Sequence, residues 1–87
     1  MHKLFVTPQF EKDFKKLPPT LQEKIDKLVQ LLKKNPLNPI LKPRKLKGFK
    51  ISLYRVKIGP YRLVYSFNKT SIILHRVAHR KDIYRKI

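Results

Sequence analysis

The spacing of apolar residues changes once along this chain, at Asn35 to Lys47, where Pro36, Pro39 and Pro43 each discourage helix. Before that stretch the spacing is helical. Phe10, Phe14 and Leu17 fall at i, i+4 and i+7. Leu21, Ile25, Leu28, Val29 and Leu32 form a second stripe, with Lys24, Lys27, Lys33 and Lys34 turned outward. Thr7 fits an N-cap and Pro8 the first helical turn, where a missing N–H costs nothing. Pro18-Pro19 ends the first helix, and Thr20 lies at the boundary of the second. After the proline stretch the spacing alternates. Tyr54, Val56 and Ile58 face one way and Arg55 and Lys57 the other; Tyr61, Leu63, Tyr65 and Phe67 oppose Arg62, Val64 and Ser66.

A helical hairpin must bury its joined apolar faces, and one face of the sheet is the available partner. Leu4, Phe5 and Val6 read as an opening strand. Ile51 to Ile58, Tyr61 to Phe67 and Ser71 to Val77 read as three more, joined by turns at Gly59-Pro60 and Asn68-Lys69-Thr70. Lys45 to Gly48 turns into the sheet. Counting directions makes the first strand antiparallel to Ile51–Ile58 if those two pair, with a meander after it. The expected fold is α+β: an N-terminal strand and helical hairpin packed on a small, mainly antiparallel sheet, in the order β-α-α-β-β-β with a short C-terminal helix. Eighty-seven residues make one domain, 1–87. Its outer sheet face is expected to be partly open, with Arg55, Lys57 and Arg62 pointing away from the helices.

The sequence carries 22 lysines and arginines against five carboxylates, a formal charge of +17. Such a chain attracts polyanions, and nucleic acid is the natural partner because phosphate contacts release counterions. An acidic protein is equally compatible. No apolar run approaches membrane-spanning length, so no membrane partner is expected. There is no cysteine, which excludes disulfides, thiol catalysis and Cys-built zinc sites. The first residues are too soon interrupted for a signal peptide, and a cytoplasmic location is expected. No carboxylate lies between Asp26 and Asp82, so carboxylate-held magnesium is poorly supplied. His2, His75 and His79 do not share ligand spacing. Ser52, Ser66 and Ser71 lack a nucleophile-elbow setting, and Gly48 and Gly59 make no phosphate-cradling loop. No cofactor and no metal are expected.

What the basic set can do is cleave RNA without metal. The RNA 2′-OH is itself the nucleophile, so the protein has to align it, accept a proton, stabilise added negative charge and help the 5′-oxygen leave. Arginine and lysine suit the charge stabilisation. A tyrosine or lysine in a field of cations can serve as the base.

These residues also carry a family likeness. Lys45-Leu46-Lys47-Gly48, Leu53-Tyr54-Arg55-Val56-Lys57-Ile58-Gly59, Tyr61-Arg62-Leu63-Val64-Tyr65 and Arg76-Val77-Ala78-His79-Arg80-Lys81-Asp82-Ile83-Tyr84, in that order, resemble the RelE/ParE toxin superfamily. The resemblance covers nearly the whole chain. It implies a RelE-like fold and a ribosome-dependent endoribonuclease that cuts A-site mRNA without metal. It also implies an acidic antitoxin that wraps the toxin, and contacts with mRNA and 16S rRNA. The free toxin is expected to be a monomer. By the resemblance, Arg55 and Lys57 match the family's basic pair and Arg62 its phosphate-stabilising arginine. Arg80 matches the arginine proposed to protonate the leaving group, and Tyr84 the C-terminal tyrosine that acts as base or stacking platform. Arg55 departs from the lysine of the best-known member. Arginine is a poor proton carrier, so proton transfer falls to Lys57 or Tyr84. His79 is a further catalytic candidate, since some relatives use a C-terminal histidine. Lys45, Lys47, Arg76 and Lys81 are candidate RNA contacts. Two rivals remain: a ParE-like inhibitor of DNA gyrase, and a non-catalytic RNA-binding relative.

Overall fold

The computed structural model describes residues 1–87. Its elements are β1 (Lys3–Val6), α1 (Pro8–Lys15), α2 (Pro19–Lys34), a 3-10 turn (Pro39–Leu41), β2 (Arg44–Lys45), β3 (Tyr54–Ile58), β4 (Tyr61–Phe67), β5 (Ser71–His79) and α3 (Ile83–Lys86). The α+β class and the helical hairpin are as the periodicity predicts. Thr7 caps α1, accepting a hydrogen bond from the Phe10 N–H at 3.1 Å. The amide of Gln22 donates to the carbonyls of Phe14 and Leu17, which α1 leaves free at its end.

Pairing of the first strand differs from the expectation. The sheet order is β1-β5-β4-β3-β2, and β1 runs parallel to β5 rather than beside β3. The physical reason is β2. These two residues, expected as loop, pair antiparallel with β3 and add one reversal of direction that the apolar pattern does not reveal. All later strands are thereby inverted relative to β1. The strand expected from Ile51 starts only at Tyr54; before it, the Leu46 N–H donates to the Leu53 carbonyl at 2.8 Å and closes the β2–β3 loop. Gly48 in that loop has φ 89, a conformation that favours glycine. The last strand continues two residues beyond Val77.

One core lies between the hairpin and the sheet. Phe10, Ile25, Val29 and Leu32 meet Val56, Ile58, Leu63, Tyr65, Ile72, Leu74 and Val77. The Tyr65 hydroxyl is buried there and donates to the Pro36 carbonyl at 2.6 Å, tying the proline stretch to the core. Burial pushes that phenol well above its ordinary pKa, so it remains a neutral donor. A second, smaller core sits on the opposite face, where Ile83 of α3 covers Val64, Ala78 and Leu53. That face is therefore closed at its centre and open on either side. No helix is long and apolar enough to cross a membrane.

Candidate nucleic-acid interface

Register decides which cations share a surface. Lys57 lies directly opposite Arg62, and Arg62 opposite Ala78; in the next row Arg44 faces Arg55, Arg55 faces Val64, and Val64 faces Arg76. Directly paired residues share a face, and it is the face opposite the hairpin. The sheet thus presents Arg44, Arg55, Lys57 and Arg62 side by side. Of the 22 lysines and arginines, only Arg76 and Lys86 form ion pairs, both with Asp13. The four sheet cations are unpaired with carboxylates.

Each is held differently. Lys57 is exposed. The Arg62 guanidinium donates through Nη1 to the carbonyls of Gly59 and Tyr61, both at 2.9 Å. These bonds fix it against the β3–β4 turn and leave Nε and the second amino group to donate outward. Arg55 is 9% exposed. A cleft of about 560 Å³ opens beside it, lined by Ile40, Lys42, Pro43, Arg44, Arg55 and Lys57. Arg80 follows β5 and is exposed; its N–H donates to the Pro60 carbonyl at 2.8 Å, which sets it next to the turn that holds Arg62. Tyr84 is 57% exposed and follows the buried Ile83. Because Ile83 lies on Val64 and Ala78, α3 is seated beside the rows that contain Arg55 and Arg62.

Other candidates do not join this group. His79 lies opposite Tyr61 and makes an edge contact with its ring at 5.7 Å, on the hairpin side of the sheet. Its Nδ1 accepts the Lys81 N–H within the turn. Lys45 lies opposite Tyr54, which also puts it on the hairpin side. Lys47 and Lys81 are exposed in the β2–β3 loop and in the turn after β5. Arg76 donates from Nε and Nη2 to Asp13 at 2.8 and 3.0 Å, so its guanidinium serves the α1–β5 contact.

Sequence reasoning passed over Lys42 and Arg44, which lie in the proline stretch. Their signal was their adjacency to the strand that carries Arg55, visible only once β2 is known to pair with it. Ser66 and His75, set aside separately on spacing and setting, are brought together: Oγ and Nε2 are hydrogen-bonded at 2.7 Å on the same sheet face. Burial holds the His75 imidazole below its ordinary pKa, favouring the neutral form.

Comparison with known proteins gives consistent likenesses. The family described as ParE toxin of type II toxin-antitoxin system, parDE, matches residues 4–84. Toxin RelE3 of Methanocaldococcus jannaschii is 34% identical over 84 residues, 94% of this chain and 94% of the relative. The RelB-RelE antitoxin-toxin complex from Methanococcus jannaschii contains a chain that superposes with a TM-score of 0.77 at 32% identity, over 93% of this chain and 95% of that one. The archaeal RelE-RelB complex from Pyrococcus horikoshii OT3 matches with a TM-score of 0.78 at 24% identity, covering 91% of this chain and 94% of that one, a likeness of fold.

Proposed function

The chain belongs to the RelE/ParE superfamily, the toxins of type II toxin–antitoxin systems, and we propose that it is a ribosome-dependent endoribonuclease cutting mRNA in the A site. The observation that carries this reading is the opposition of Lys57 and Arg62 on an open sheet face without a carboxylate counterion. Cations paired across strands repel each other. They become favourable neighbours when an anion lies between them, and a phosphodiester under attack by its own 2′-OH is an anion that gains charge.

In this reading Arg62, oriented by its two carbonyl acceptors, binds the scissile phosphate and stabilises the charge that develops on it. Lys57 or Tyr84 accepts the 2′-OH proton, and Arg80 assists departure of the 5′-oxygen. Tyr84, exposed on α3, also offers a base-stacking surface. Arg55 contributes charge. Single-stranded mRNA decoded on the ribosome supplies the substrate, which places the protein in the cytoplasm. An antitoxin is its partner, as RelB is for the toxin in the methanogen complex, and the +17 charge calls for an acidic one.

The matched family description names ParE and so favours a second reading, inhibition of DNA gyrase. An unpaired basic sheet face together with Tyr84 supports the nuclease instead. Primer extension on mRNA held in programmed ribosomes tests the choice, with wild type beside Arg62→Ala and Tyr84→Phe. Cuts at the A-site codon that weaken in both variants are expected. Absence of cuts by folded, antitoxin-free protein, with inhibition of gyrase supercoiling, would transfer the assignment to the second reading.

A further inference from the structure

We infer that the cleft between the Pro39–Leu41 turn and β3 is a second phosphodiester subsite, where Lys42, Arg44 and Arg55 hold the RNA strand beyond the bond that is cut. The inference rests on the nuclease reading for the identity of the strand.

Arg55 is the first support. It is 91% buried, yet its guanidinium makes no hydrogen bond or ion pair with the protein. No buried side-chain nitrogen or oxygen lacks a partner, so the guanidinium reaches open space, and the space it lines is the cleft. The stem is packed and the charged head is held at the cleft without a protein partner, free to meet an anion. The second support is Arg44, set directly opposite Arg55 with no carboxylate among the lining residues. The third is Lys42. It is the only non-glycine residue with positive φ, at 51°, and its N–H closes the 3-10 turn on the Pro39 carbonyl at 3.2 Å. Left-handed backbone at a lysine costs roughly 1 kcal/mol, and here it shapes the cleft rim.

The geometry favours a strand over a lone anion. Lys57 lines the cleft and also faces Arg62, so the two anion positions are continuous. Arg44 lies two strands from Arg62, roughly 10 Å at the usual strand spacing. One phosphate held by Arg62 therefore leaves Arg44 to address another. Ile40, 81% exposed at the rim, offers an apolar surface to a ribose or base.

The test measures binding of 2′-O-methyl RNA, which cannot be cut, by fluorescence anisotropy. A dinucleotide and a hexanucleotide are compared on wild type, Arg44→Gln and Lys42→Gly, the latter keeping the left-handed turn. Lys24→Ala and Lys27→Ala, on the exposed side of α2, remove the same charge elsewhere. Both cleft variants should bind the hexanucleotide roughly ten- to a hundredfold more weakly, as expected for a lost charged hydrogen bond. The slope of log affinity against log salt should become shallower by about 0.7, the loss of one single-strand phosphate contact. The dinucleotide and the α2 variants should show neither change. Equal weakening by all four variants would overturn the subsite, because a general positive field then accounts for binding. Weakening confined to a polyglutamate probe would also overturn it, assigning the cleft to an acidic protein. Ribosomal cleavage by wild type with unchanged hexanucleotide binding by both cleft variants would sink the subsite alone. Selective weakening without any cleavage by wild type would sink the nuclease reading and leave the subsite. Failure of wild type to bind either oligonucleotide would remove the subsite, and ribosomal cleavage alone would then decide the nuclease reading.

Discussion

Replacing Asp13 by alanine should be among the most damaging changes available to this protein, although Asp13 belongs to α1 and not to the set of unpaired sheet cations. Its carboxylate, 5% exposed, accepts from Nε and Nη2 of Arg76 and from the Val77 backbone N–H at 3.1 Å, and Lys86 lies 3.6 Å away. The Val77 bond has a structural origin. β1 ends at Val6 and covers β5 only as far as Leu74, so the edge of β5 beyond it has no partner strand. A side chain on α1 takes the place of the absent strand. With alanine, the Val77 N–H is left buried and unpaired, at about 1–3 kcal/mol. Arg76 keeps 21% exposure and recovers part of its hydration, so its loss adds only about 1 kcal/mol. The sum, about 2–4 kcal/mol, stands against roughly 4–13 kcal/mol of total stability for a chain this size. At about 4–8 °C per kcal/mol, the melting temperature should fall by roughly 10–30 °C.

Thermal unfolding followed by circular dichroism reads this directly, and two further variants separate its parts. Asp13→Asn keeps an oxygen for the Val77 N–H and should lose less than Asp13→Ala. The double variant Asp13→Ala/Arg76→Met removes the stranded charge and should recover about 1 kcal/mol. A drop below about 4 °C for Asp13→Ala would refute the reasoning, since it would mean that the α1–β5 contact is solvated and the Val77 N–H is not isolated from water.

Arg62→Ala should lower A-site cleavage by roughly two orders of magnitude or more, while the loss of its bonds to Gly59 and Tyr61 should cost stability only about 1 kcal/mol; primer extension and melting curves on one preparation check both. Tyr65→Phe orphans the Pro36 carbonyl and should destabilise by about 1–3 kcal/mol, with cleavage per folded molecule unchanged when measured well below the melting point. His75 has a pKa lowered by burial from its ordinary 6.5. Below about pH 6.5 the unfolded chain therefore takes up a proton that the folded protein resists, so stability falls as the medium becomes acidic and is unaffected above that range. The drop in melting temperature from pH 7 to pH 5 should be smaller in His75→Gln than in wild type; equal drops would contradict the assignment.

The sequence made some of this legible through period and parity. The stripe Phe10, Phe14, Leu17 places α1, and the alternation from Tyr61 to Phe67 gives β4 at its observed bounds. The same parity separates Arg55, Lys57 and Arg62 from the core. It also assigns His79 to the hairpin side, two residues after the core-facing Val77, a signal the family resemblance obscured. Lys45 is a different case. A two-residue strand has no period, and its face follows from pairing with Tyr54 alone. The role of Asp13 had a sequence signal: it sits at i+3 from Phe10, on the apolar side of α1, where a carboxylate needs a buried partner. What could not be read was the partner, because Arg76 is brought within reach by an irregularity in β5. Val64 pairs with Arg76 and Tyr65 with Leu74, leaving His75 as an extra residue.

That irregularity and the second core explain how the domain sustains its basic face. Two like-charge pairs, Lys57 with Arg62 and Arg44 with Arg55, each oppose folding by roughly 0.2–1 kcal/mol. Between these cations and the β5 edge lies the apolar strip of Val64 and Ala78, and Ile83 covers it with no exposed surface of its own. Burial of an isoleucine contributes about 1.5–3 kcal/mol, enough to offset both repulsions. The offset comes from α3, the element that carries Tyr84, and Lys86 at its end approaches the Asp13 that also holds Arg76. Thus the helix that compensates for the repulsion is also the one that carries the tyrosine. A substitution that releases α3 removes both at once, whereas one that neutralises Lys57 relieves repulsion and leaves α3 docked. Stability and activity should therefore move together for changes at Ile83 and in opposite directions for changes at Lys57, which is the behaviour expected of a site whose charges are kept unpaired for a ligand.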